Sequence, residues 1–170
     1  MLGLVTRRIP SSAPSLLRRS IHNMDSATLY SLFSPPDGPP PPPVIVIDVR
    51  PDHEVRDIAA FNGGKSLTDY LGLGVRSTAE DTLKSIPLED ITNNTWLELS
   101  PSDFLDEYDF PHPLHANYAS SDEATPLYVF SCKAGVRSKL AASIAKEKGV
   151  PNCWNFLPGA VGWDEYMTSR

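Results

Sequence analysis

Cysteine is scarce in this chain. Two occur among 170 residues, Cys132 and Cys153, enough for one disulfide and far short of the framework of a small secreted scaffold. Free thiols in a reducing compartment are expected. Long apolar runs are also missing: nothing approaches the roughly 18 residues of a membrane-spanning helix, so no membrane partner is expected. Positive charge is outweighed, with a net charge of −6, which excludes nucleic-acid binding driven by electrostatics. The four histidines and two cysteines show no metal-ligand spacing, and neither metal nor cofactor is expected. With 41% hydrophobic and 21% charged residues, the composition is that of one globular domain with its own core.

Acidic residues are absent from Met1 to Met24, which carries Arg7, Arg8, Arg18 and Arg19; the first carboxylate is Asp25. The segment is also rich in serine and leucine, and its apolar runs are too short for a secretory signal. This is the composition of a mitochondrial transit peptide over residues 1–24, with processing expected between Arg19 and Asn23 and the matrix as the destination. The alternative is a basic tail without an address.

The folded domain is expected over residues 25–170. Asp25 to Phe33 has the pattern of a short helix capped by Asp25 or Ser26. Ser34 to Pro43, "SPPDGPPPPP", cannot be a helix or an inner strand, because proline lacks a donor and fixes φ; it is expected as a stiff spacer. Val44 to Val49 and Leu127 to Ser131 are continuous apolar runs suited to strands buried on both faces. Cys153 to Phe156 is a third candidate. Val136 to Lys148 has helical periodicity, with Val136, Leu140, Ile144 and the alanines on one side, and Gly149 and Pro151 end it. Strand, helix and strand in this order imply a right-handed parallel crossover. A shorter helix is expected from Pro101 to Tyr108 behind a Ser100 cap, and a last one from Gly159 carrying Trp163 and Tyr166. Ile58 to Glu80 is weakly periodic and is expected as a loop with a short helix.

Cys132 follows directly on the strand "LYVFS" and precedes a helix. Chemistry in open parallel sheets collects at the carboxyl ends of strands. Free N–H groups at the helix start make positive potential, and a loop curled over the sulfur would aim several donors at it. Gly135 permits a backbone conformation closed to other residues. A thiol near 8.5 in isolation is mostly protonated at neutral pH; this setting, with Lys133 and Arg137 nearby, would shift it toward the thiolate without a histidine base. A free cysteine is ordinarily an inert, buried thiol; strand end, helix start, glycine and two cations together argue for a nucleophile instead. Cys153 is read as a core thiol, with a resolving role as the alternative. Trp96, Trp154 and Trp163 are read as packing residues, and Asp103, Asp106 and Glu107 as a solvated helix face.

The loop "CKAGVRS", Cys132 to Ser138, resembles the active-site loop of rhodanese-type sulfurtransferases. "VIVIDVR", ending at Asp48 and Arg50, resembles that family's first inner strand. "FLDEYDFPHP", Phe104 to Pro113, and "NFLPGAVGW", Asn155 to Trp163, resemble the segment before the catalytic strand and the closing turn. The resemblance implies an α/β rhodanese-like domain, a central parallel sheet flanked by helices. It implies transfer of sulfane sulfur from a small donor such as thiosulfate, through a Cys132 persulfide, to cyanide, glutathione or a protein thiol. Lys133, Ala134, Gly135, Val136, Arg137 and Ser138 would form the substrate loop, with Lys133 and Arg137 attracting the anionic donor. Asp48 and Arg50 would support it, chiefly as a structural tie between strand and loop.

Two other functions stay open. Cysteine phosphatases and arsenate reductases place five residues between cysteine and arginine, whereas Lys133 to Val136 are four; a histidine usually precedes their cysteine, and Ser131 stands there. A smaller ring suits one sulfur atom better than a phosphoryl group. The second alternative is a binding module that transfers nothing. It is kept open by residues 58–84, an atypical insertion where the family has a Gly-His-Ile turn. "SIPLEDI", Ser85 to Ile91, is the expected next strand and its exit.

Overall fold

The structure, a computed structural model, describes residues 20–33, 42–51, 53–54, 83–115 and 125–170. Five strands form one sheet: β1 (His22–Met24), β2 (Val44–Asp48), β3 (Leu83–Ser85), β4 (Leu127–Ser131) and β5 (Cys153–Phe156). Their order is β1-β5-β4-β2-β3, and every pairing is parallel. Helices α1 (Ser26–Phe33), α2 (Leu88–Thr92), α3 (Thr95–Glu98), α4 (Pro101–Tyr108) and α5 (Val136–Glu147) lie between them in sequence, and α6 (Gly159–Thr168) follows β5.

The central pair explains the architecture. β2 and β4 run in register from Val44 opposite Leu127 to Asp48 opposite Ser131. Both are apolar on both faces, so each face must be covered. Ile45, Ile47, Tyr128 and Phe130 point to one face and pack with Ile91, Trp96, Phe104 and the alanines of α5. Val46 and Val129 point to the other and pack with Leu29, Phe156 and Trp163. Helices therefore flank the sheet on both sides. The register sets Asp48 and Ser131 side by side at the carboxyl edge, and Cys132 is the next residue.

Local signals account for the helix starts. The Thr28 amide donates to Asp25 Oδ1 at 2.8 Å, so Asp25 is the cap of α1. The Asp103 amide donates to Ser100 Oγ at 3.2 Å, with Pro101 in the first turn. The residues read as packing do pack: Trp96 and Trp163 are buried, and Phe104 lies 5.0 Å from Phe110 and 4.7 Å from His112, ring to ring.

Three expectations are corrected. His22–Met24, placed in the leader on composition, is an edge strand: it pairs with Trp154 to Phe156, Met24 is buried, and the Leu157 amide donates to the Met24 carbonyl at 3.0 Å. The strand after the atypical segment is Leu83–Ser85, not Ser85 to Ile91; Pro87 stops it, and α2 starts at Leu88. The strand that follows the atypical segment is thus in the sheet, paired to β2. The third concerns α5: its buried residues are Ser138, Ala141, Ala142 and Ala145, while Val136 is 77% and Leu140 50% exposed. Ala145 and Ala141 fit a closely approaching sheet that larger side chains would push away. The proline-rich spacer lies outside the described residues except Pro42 and Pro43, and so does the atypical segment up to Thr82.

This packing predicts an inversion of the usual size rule. Ala142→Leu should destabilise the fold by about 1–3 kcal/mol through overpacking. Leu140→Ala, on the exposed flank, should cost less than about 1 kcal/mol. Urea unfolding of the two variants would check this; equal losses would mean that the buried face is misassigned.

Candidate functional site

The loop between β4 and α5 is shaped by its carbonyls. The Ala160 amide donates to the Cys132 carbonyl at 2.9 Å, and the Val161 amide donates to the Lys133 carbonyl at 3.2 Å. Both donors belong to the first turn of α6, where amides lack partners within the helix. With these carbonyls tied outward, the loop turns amides inward toward the sulfur. The amides of Ala134, Arg137 and Ser138, with the Ser138 hydroxyl, act on the Cys132 sulfur.

Two glycines make this approach feasible. Gly135 has φ +76°, and a β-carbon there would stand 1.9 Å from the Leu157 carbonyl oxygen. Gly159 has φ +61°, and a β-carbon would stand 2.6 Å from the carbonyl oxygens of Cys132 and Lys133. Any other residue meets both a strained backbone and a backbone clash.

Cys132 is nearly covered, with 2% of its surface exposed. Burial alone pushes its thiol up; the Ser138 hydroxyl and the three loop amides pull it down, and the balance lies below the ordinary thiol value. The Ser138 Oγ lies 3.4 Å from the sulfur. The bond to Glu54, and to a lesser degree the nearby Cys132 sulfur, hold the Arg137 proton more firmly. Lys133 and Ala134 are exposed on the loop.

Glu54 is a site residue that sequence reasoning did not nominate. Its carboxylate accepts from Arg137 Nη1 at 2.8 Å and Nη2 at 2.7 Å, a bidentate pair with about a third of each side chain exposed. Arg137 lowers the Glu54 carboxyl, chiefly through that hydrogen bond. Whatever stability the pair adds is therefore complete above the usual glutamate value and is lost as pH falls through the depressed one. The signal in the sequence was an acid in "RPDHEVRD", too ordinary to single out without a fold. Gly159 and Asn155 were read for secondary structure and resemblance and not as site residues, and both belong to the site's scaffold.

Asp48 and Arg50 close on each other. Arg50 Nε donates to both carboxylate oxygens at 2.9 Å, and the Arg50 amide donates to Oδ1 at 3.1 Å. Both residues are buried. The Val49 amide donates to the Ser131 carbonyl at 2.9 Å, so this pair fixes the end of β2 beside the residue preceding Cys132.

The second cysteine is of another kind. Burial pushes the Cys153 thiol up to about 12, and its Sγ lies 3.3 Å from the Val150 carbonyl, to which it donates. Cys153 stands opposite Tyr128, and Cys132 lies four residues further along. That is about 13 Å of strand, against the roughly 7 Å limit between α-carbons in a disulfide. A resolving role in this fold is excluded. His112 is buried, and burial lowers its pKa. Its Nδ1 accepts from the Leu114 amide at 3.1 Å, so Nε2 carries the hydrogen and faces the Leu97 carbonyl at 3.4 Å. It packs with Phe104, on the aromatic cluster of the core.

No family model and no curated relative matches the sequence. Solved structures do match. A human single-domain sulfurtransferase, TSTD1, superposes with a TM-score of 0.54 at 19% identity, covering 84% of this chain and 95% of that one. A Saccharomyces cerevisiae single-domain sulfurtransferase, RDL2, gives 0.52 at 19% identity over 89% and 94%. A Rhodopseudomonas palustris protein of unknown function, described as a possible tyrosine phosphatase, gives 0.51 at 18% identity over 86% and 82%. The chain has the rhodanese-like fold, and at these identities the likeness concerns the fold alone.

The geometry predicts unequal thiols. A neutral alkylating agent should modify Cys132 and leave Cys153 untouched in the folded protein at neutral pH. Gly135→Ala should slow modification of Cys132 at least tenfold, the equivalent of about 1.4 kcal/mol. Peptide mapping after timed alkylation would check both; equal labelling of the two cysteines would refute the assignment.

Proposed function

We propose that this protein is a sulfurtransferase whose nucleophile is Cys132. The observation that carries the reading is a single cysteine sulfur at the carboxyl edge of a parallel sheet, with the Ser138 hydroxyl 3.4 Å away and the amides of Ala134, Arg137 and Ser138 acting to lower its thiol. Such a ring favours an anion on that sulfur whether the sulfur is a thiolate or bears a second sulfur atom.

The steps balance simply. The Cys132 thiolate attacks the outer sulfur of thiosulfate. The sulfur–sulfur bond of the donor breaks, its electron pair leaving with sulfite, and a new bond joins the transferred sulfur to Sγ. A nucleophilic acceptor, cyanide or the thiolate of glutathione or a protein, then attacks the terminal sulfur, and the Cys132 thiolate leaves. No external base is required, because the nucleophile is already favoured as the anion. Arg137 and Lys133 attract the donor, and Glu54 offsets part of the Arg137 charge while fixing its direction. The near-complete cover over Cys132 suits a slender sulfane sulfur.

The second reading is a phosphatase, since the neighbour described as a possible tyrosine phosphatase shares this fold. The four residues between Cys132 and Arg137 make a small ring, and they favour sulfur over a phosphoryl group. A non-catalytic binding module would have no use for a thiol held as an anion.

Incubation with thiosulfate should add the mass of one sulfur atom to Cys132. Cyanide or glutathione should remove it, and Cys132→Ser should abolish the gain. Failure of the wild type to take sulfur from thiosulfate and from other small sulfane donors would leave the binding module, and hydrolysis of an aryl phosphate would move the assignment to the phosphatase.

The mitochondrial matrix is the proposed site of action, on the composition of the first nineteen residues. Because His22–Met24 pairs with β5, processing is expected to stop before His22. Amino-terminal sequencing of the protein from cells would check this; a mature start beyond Asn23, or an intact Met1, would contradict it.

A further inference from the structure

Behind the sulfur lies a polar chain of which the transfer reaction calls upon only the Ser138 hydroxyl. Ser138 Oγ lies 2.8 Å from Asn155 Oδ1 and 3.4 Å from Cys132 Sγ. Asn155 Nδ2 donates to Asn23 Oδ1 at 3.0 Å. Ser138 and Asn155 are fully buried. The chain runs from the nucleophile, through the first turn of α5 and the middle of β5, to the edge strand β1.

A serine hydroxyl has one hydrogen, and here two acceptors stand within its reach. When the hydrogen points to Asn155, the lone pairs of Ser138 Oγ face the sulfur and accept from a protonated thiol. When it points to the sulfur, it stabilises a thiolate or a persulfide anion and leaves the Asn155 oxygen without that bond. A buried acceptor without a partner is costly. The anion must therefore compete with a neutral amide for the hydroxyl.

We infer that Asn155 is a positioning residue which, anchored by Asn23, controls the direction of the Ser138 hydroxyl hydrogen and so how readily Ser138 donates to the Cys132 sulfur. The amide restrains the thiolate in the resting site and yields the hydroxyl when the sulfur carries charge. The Asn23 link makes the edge strand part of the restraint: with Asn155 Nδ2 held by Asn23, its oxygen is kept toward Ser138. Charged groups around the sulfur act separately. Arg137 is paired with Glu54 and acts on the sulfur through its charge, Lys133 is exposed on the loop, and Asp48 and Arg50 close on each other at the end of β2. The inference deepens the sulfur-transfer reading. It rests on that reading only for its purpose, because the experiment reads thiol acidity and needs no sulfur donor.

The pH midpoint of Cys132 alkylation by iodoacetamide is measured in full-length wild type and four variants. Asn155→Ala should lower the midpoint by about half a pH unit, since the hydroxyl loses its competing acceptor. Asn23→Ala, a substitution on an exposed position of the edge strand, should lower it by a smaller amount. Ser138→Ala should raise it, and Asn155→Ala added to Ser138→Ala should change nothing further, a non-additivity that simple loosening of the fold would not produce. An unchanged or raised midpoint in Asn155→Ala would overturn the inference, as would the same downward shift with Ser138 absent. If Asn155→Ala does not fold, Asn23→Ala decides: an unchanged midpoint there overturns it. Sulfur transfer from thiosulfate, followed in parallel, separates the two claims, because wild type without transfer but with the shifted midpoints refutes the function and leaves the positioning role standing.

Discussion

The site depends on two backbone carbonyls pointing away from it. Those of Cys132 and Lys133 accept from the amides of Ala160 and Val161, so the first turn of α6 is satisfied by the very loop it shapes. Once the carbonyls are tied outward, the amides that follow face the sulfur. Nothing else in the site could supply that arrangement, since side-chain donors alone would not close around one atom. The glycines at 135 and 159 matter for a related reason: a β-carbon at Gly159 would collide with the two carbonyls of this clasp, and one at Gly135 with the Leu157 carbonyl.

Burial and donation oppose each other at the thiol, and their balance is the functional quantity. A covered sulfur resists ionisation because the anion loses water. Cys153 shows that effect alone, with its thiol pushed up to about 12. Cys132 is as well covered, yet lies on the other side of the ordinary value. The difference between the two cysteines is the loop, not the depth. The same cover keeps bulk water from the sulfur and narrows what can reach it.

Much of this was legible in the sequence. Val44–Asp48 and Leu127–Ser131 were marked by continuous apolar runs, Pro101–Tyr108 by its serine cap and proline, and the site by a cysteine between a strand and a glycine-containing turn. What escaped had little local signal. His22–Met24 is three residues long with two exposed, so neither periodicity nor composition marks it, and the basic segment before it drew it into the leader. Leu83–Ser85 is as short. The face of α5 was misread because size stood in for burial: the sheet lies close enough to admit Ala141, Ala142 and Ala145, and it turns Val136 and Leu140 outward. Glu54 required the fold, since its partner Arg137 is 83 residues away.

The central claim is that the loop, working against burial, lowers the Cys132 thiol below its ordinary value, and the direct test is to titrate it. The ultraviolet absorbance of the thiolate, taken as the difference between wild type and Cys132→Ser across pH, isolates this one sulfur. The account predicts a single step with a midpoint clearly below the roughly 8.5 of a free cysteine. A midpoint at or above that value, or no step before the protein unfolds, would contradict it.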